Sequence, residues 1–172
     1  MRDCRRLSLI LVLSGCMSAP EQVVPIRKSW QGETSRQAEP FAVLVSHPAV
    51  WKTLLTSMFS GLENVPNFEP VDFEKEVVLA LSDGVSPQCR GISPEEVLEG
   101  PDRIRVRVRH HTYQTGFSAG EDRGPRPPAE RPWGFVVLPR WEGRKPVGVE
   151  YNVQSLLGHP PIWKEKYRLS GP

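Results

Sequence analysis

Between Arg103 and Arg109 the sequence alternates strictly: arginine at 103, 105, 107 and 109, Ile104, Val106 and Val108 between them. A period of two over seven residues describes a strand with one face buried and the other in water. The rest of the chain has the same character. Val147, Val149 and Tyr151 alternate, Val77 to Leu81 and Trp133 to Leu138 are short apolar runs, and Trp163, Tyr167 and Leu169 suit a last strand. Eighteen prolines and fourteen glycines are spread through 172 residues, which argues against a helical bundle or a doubly wound α/β fold.

One segment reads as a helix. Pro48 suits a first helical position after Ser46 or His47, and Val50, Leu54, Leu55, Met58 and Phe59 follow at helical spacing until Gly61. Phe41–Val45 before it is a strand candidate. Ser82-Asp83-Gly84 is a turn signal, and residues 112–132 read as a long surface loop. Ser93-Pro94-Glu95-Glu96 leaves residues 90–99 ambiguous between a helix start and a strand that is bulged or at an edge. The expected class is α+β and mostly β, with one N-terminal helix packed on a twisted antiparallel sheet.

The N-terminus has a separate logic. Arg2, Arg5 and Arg6 precede the apolar run Leu7–Leu13, which is too short to span a bilayer as a stable helix but long enough for a signal segment. Leu13-Ser14-Gly15-Cys16 follows and resembles the lipobox of bacterial lipoproteins. The resemblance implies a signal peptide at 1–15 and a diacylglyceryl group on Cys16, which would become the first residue. The absence of aspartate at position 17, which is Met17, favours the outer membrane in that family's sorting pattern. Residues 16–40, with Pro20, Pro25 and Pro40 among polar residues, read as a flexible tether, and 41–172 as one β-rich domain.

Removing residues 1–15 takes away three of 22 basic residues and one of 20 acidic ones, leaving 19 of each. The formal charge of +2 therefore belongs to the leader, and nucleic-acid binding has no electrostatic support. The arginines at 103–109 are expected to pair with the acidic ridge Asp72, Glu74 and Glu76 if the two strands are neighbours. Cys89 would be the one remaining thiol, expected buried and without a disulfide.

Motifs for chemistry are weak. Gly116-Phe117-Ser118-Ala119-Gly120 matches the nucleophile elbow of serine hydrolases, with His159 downstream. The elbow needs a helix directly after the serine, and Pro125, Pro127 and Pro128 oppose one. A small hydrolase using Ser118 is therefore the alternative reading, and no catalytic residue is assigned. His110 and His111 adjoin and point to opposite faces of a strand, His110 inward and His111 outward, so a metal would need distant partners such as Cys89 or His159. No metal or cofactor is expected. Trp133, Trp141 and Trp163 are expected in the core, or else line a small-ligand groove.

Val71-Asp72-Phe73-Glu74-Lys75-Glu76-Val77-Val78-Leu79-Ala80 resembles the signature that opens PrcB C-terminal-like domains. Gly84, Gly91-Ile92, Gly100–Val106 and Arg131–Arg140, with Pro132-Trp133 entering a strand, stand where that family has its turns and strands. The resemblance covers about residues 71–152. It implies a small, mostly antiparallel β domain without assigned catalytic residues, in a family named for an accessory subunit of a surface protease complex. The expected function is a lipid-anchored, non-catalytic interaction or accessory module with a protein partner.

Overall fold

The computed structural model describes residues 20–86, 89–112, 130–143, 145–153 and 159–172. Among them are nine strands and one helix: β1 (Gln22–Val23), β2 (Lys28–Gly32), β3 (Pro40–Val45), α1 (Pro48–Phe59), β4 (Glu76–Asp83), β5 (Cys89–Glu99), β6 (Ile104–Thr112), β7 (Trp133–Pro139), β8 (Val147–Asn152) and β9 (Trp163–Leu169). The mostly β, α+β class is as expected, but the strands form two sheets rather than one. A five-stranded sheet runs β1-β5-β6-β8-β9 and a four-stranded sheet runs β2-β7-β4-β3. The pairing is not wholly antiparallel, because β6 and β8 are parallel. Between them the chain crosses to the other sheet to form β7 and returns, as a parallel pair requires.

The layers follow from side-chain parity. Val77, Leu79 and Leu81 of β4, with Val136 and Leu138 of β7, face Ile104, Val106, Val108, Val147, Val149 and Ile92 across the sandwich. The alternate residues Val78, Ala80, Phe135 and Val137 face the other way, onto Trp51, Met58 and Phe59 of α1. The four-stranded sheet is thus covered on both faces, which is why its two central strands are continuous apolar runs. The five-stranded sheet has one wet face, and β6 alternates accordingly.

His47 caps α1, its Nδ1 accepting from the Ala49 amide at 3.2 Å, and Pro48 opens the helix. Beyond Ser60, Gly61 has φ +75°, a conformation glycine adopts without cost. In β5, ladder irregularities at Cys89/Gly91 and Pro94/Glu96 absorb the proline, so 89–99 is a bulged strand and not a helix start. β1 pairs only Leu98 and Glu99 of β5, so Pro94 lies beyond its reach.

Residues 22–32 differ from the expected tether. β1 pairs with β5 and β2 with β7. Val24 and Ile26 pack on the core between the sheets, and Trp30 packs on the helix-side core. The few large apolar residues of this polar segment are therefore what dock it. Residues 72–75 also differ, forming a turn instead of a strand. Asp72 Oδ1 accepts from the Glu74 amide at 3.1 Å, its carbonyl accepts from the Glu76 amide at 2.7 Å, and its carboxylate pairs with Lys75 at 3.0 Å. An aspartate that satisfies its own backbone favours the turn over the ladder.

The arginine ridge consequently has other partners than the acidic residues at 72–76. Glu150 of β8 bridges Arg105 (3.5 Å) and Arg107 (3.2 Å). Glu96 holds Arg107 at 2.7 Å, Glu95 takes Arg109 through two bonds of 2.8 and 3.1 Å, and Glu165 takes Arg103 at 3.4 Å. Glu21 pairs with Arg105. Glu150 has a side chain only 9% exposed and serves two cations. Its removal in Glu150→Ala should cost ~1.5–3 kcal/mol in urea unfolding, the value of a hydrogen bond to a charged group. Glu95→Ala, at the better-solvated Arg109 pair, should cost ~1 kcal/mol or less.

Candidate functional site

A group of titratable side chains joins the two sheets at the end of β4. Asp83 is the last residue of β4, and its side chain is 8% exposed. The turn after it depends on Gly84, at φ +65°, where an added Cβ would strike the Ala38 carbonyl oxygen. The Asp83 carboxylate accepts from Lys166 Nζ of β9 at 2.9 Å and meets Nε2 of His110 on β6. The His110 ring lies 4.7 Å from that of Tyr151, and the Lys166 ammonium sits over Tyr151 and Tyr167 at 4.8 and 5.3 Å.

Burial works against charge on Asp83, but the bonds to His110 and Lys166 outweigh it and hold its carboxyl below the usual 3.8. Burial likewise opposes the Lys166 charge, and the Asp83 bond overrides it, raising the ammonium above its usual 10.5. Burial pushes the Tyr151 phenol up, so it stays neutral. The pair is therefore an electrostatic clasp between sheets. Its contribution from Asp83 is present above pH 3.8 and lost as pH falls through the lowered value. Its contribution from Lys166 is present below pH 10.5 and lost as pH rises through the raised one. Asp83→Asn should be less stable than the parent near neutrality. The difference should shrink below pH 3.8 and above pH 10.5 in urea unfolding across a pH series.

Other residues singled out in the sequence are dispersed. Cys16 and the 116–120 motif with Ser118 lie outside the described residues. His159 is exposed in the segment before β9. His110 and His111 are both half-buried; His111 Nε2 bonds Ser93 Oγ at 2.6 Å, while His110 meets Asp83. Cys89 is buried, and its thiol, bonded to the Gly91 carbonyl at 3.4 Å, is pushed up by burial and so is a poor nucleophile. No group of three or more His, Cys, Asp or Glu able to hold a metal occurs among the described residues. Trp133 belongs to the core, its indole donating to the Thr34 carbonyl at 3.1 Å, and Trp141 packs at the core edge. Trp163 instead lines a surface groove, under the guanidinium of Arg107 at 5.3 Å.

Two grooves mark opposite faces of the layered domain. One, of about 490 Å³, runs between α1 and residues 65–73 and is lined by Trp51, Val65, Pro66, Phe68, Pro70 and Phe73. The other, of about 560 Å³, lies over the five-stranded sheet and includes Val23, Pro25, Ile26, Arg107, Pro161 and Trp163. From the sequence Trp163 is expected in the core, with a groove as the alternative, and Phe68, Asp83 and Lys166 are not singled out as site residues. Comparison of the chain with protein-family models, curated proteins and solved structures returned no match.

Proposed function

We propose that this chain is a lipid-anchored protein of the bacterial cell envelope, held through Cys16. Its β domain acts as a non-catalytic interaction module for an envelope protein, in the manner of a protease accessory subunit. The lipobox-like Leu13-Ser14-Gly15-Cys16 supports the anchor, and Met17 supports sorting to the outer membrane. The observation that carries the interaction role is the groove beside α1. Its aromatic and proline-rich lining suits an extended, proline-bearing or aliphatic segment of a partner, which such surfaces bind with little ordering cost. The resemblance to PrcB C-terminal-like domains over residues 71–152 supports the same reading.

The test is site-specific photo-crosslinking in cells from Val65 and Val71, both on this groove. One discrete envelope-protein adduct is expected from both positions, and the one from Val71 should disappear in Val65→Asp, an exposed site that leaves the core untouched. Adducts that persist in Val65→Asp, or ester hydrolysis by the purified domain that Ser118→Ala abolishes, would overturn the reading.

A further inference from the structure

The distance between the anchor and the fold is short. β1 begins at Gln22 and is hydrogen-bonded to Leu98 and Glu99 of β5, so the folded unit starts six residues after Cys16. Six residues reach at most ~22 Å even when fully extended. A domain on so short a leash presents to the bilayer whatever surface surrounds β1.

That surface has an apolar and aromatic part beside paired charges. Val23 is 70% exposed and Ile162 50%, and Val153, also 50% exposed, donates its amide to the Ile162 carbonyl at 2.8 Å. Val23, Pro25 and Ile26 share the five-stranded-sheet groove with Pro161 and Trp163. Glu95, Glu96 and Arg107 also line this groove, and the charges here are paired within the protein: Arg107 with Glu96 and Glu150, Arg109 with Glu95, and Arg105 with Glu21 and Glu150. Tryptophan beside exposed aliphatic residues suits the headgroup boundary, where one end of the ring is apolar and the other wet.

We propose that this face, centred on Val23, Ile162 and Trp163, rests on the lipid surface. The groove beside α1, across the four-stranded sheet, is thereby turned outward to a protein partner. The inference rests on the anchor reading above, and adds to it a fixed orientation. The contact is apolar, so it does not depend on anionic lipid.

The experiment uses the processed protein extracted from membranes and reconstituted in phosphatidylcholine vesicles, with and without phosphatidylglycerol. An environment-sensitive fluorophore is placed at Val23→Cys or Ile162→Cys, and at Val50→Cys or Val65→Cys as outward controls; Cys89 is buried. Brominated lipids should quench the labels at 23 and 162 several-fold more strongly than those at 50 and 65, in both lipid mixtures and at high salt. A label at Val153→Cys should lose its quenching in the exposed-site double variant Val23→Asp/Ile162→Asp, while the acyl anchor keeps that variant on the vesicles. Equal quenching at all four positions in a protein whose mass shows acylation would overturn the orientation and leave the anchor standing. Quenching that needs anionic lipid and vanishes in salt would overturn the apolar contact. A protein without acyl chains would instead remove the anchor reading, and the orientation with it.

Discussion

Gly134→Ala should unfold this protein or cost it at least ~3 kcal/mol, the upper end of overpacking penalties. Gly134 is the second residue of β7, where that strand runs close against β5. A Cβ there would overlap the Ile92 carbonyl oxygen of β5 and stand 3.0 Å from Ile92 Cβ. Neither obstacle is the free end of a flexible side chain. The Ile92 backbone is fixed by its pairing with His110, and Gly134 is fixed between Gln31 and Leu81. A methyl group can be admitted only by separating the sheets, which strips contact from the whole core between them. Gly143→Ala is the control. It has nothing within 4 Å, and the cost is only that of holding a non-glycine residue at φ +84°, ~1–2 kcal/mol. Guanidinium unfolding of both variants should show the contrast; equal effects would contradict the close approach of β5 and β7.

Phe135→Ala should cost ~3–5 kcal/mol, the range for emptying a buried aromatic site. Phe135 is fully buried on the helix side of β7, and its ring lies 4.8 Å from Trp51, 4.9 Å from Trp133 and 5.5 Å from Phe68. Trp51 and Phe68 are also walls of the outward groove. The substitution therefore reaches function as well as stability: crosslinking from Val65 should weaken even below the unfolding temperature. A loss near 1 kcal/mol would mean that the aromatic cluster closes over the cavity without difficulty.

Legibility in the sequence tracks how local each pattern is. β6 and α1 could be read because their periods are complete within one turn or strand length, and Pro48 and Gly61 mark the helix ends. The second sheet was signalled only indirectly. Val77–Leu81 and Trp133–Leu138 are continuous apolar runs, which a strand needs only when both its faces are covered. Two such runs beside one strictly alternating strand imply a middle layer, but nothing in them says which strands pair. The 22–32 segment was obscured by its polarity, since Val24, Ile26 and Trp30 dock it with few apolar side chains. The acidic ridge Asp72, Glu74 and Glu76 does not lie along one strand because Asp72 turns the chain back on itself. The arginine partners and the Asp83 clasp depend on pairing between distant strands. Lys166 is 83 residues from Asp83, and no spacing rule connects them.

The intact mass of the protein extracted from membranes bears most directly on the whole account. The result expected is a polypeptide beginning at Cys16, lacking residues 1–15 and heavier than its sequence by a diacylglyceryl group or that group with a further acyl chain. An unmodified chain that retains Arg2 to Gly15 and is recovered in the soluble fraction would contradict it.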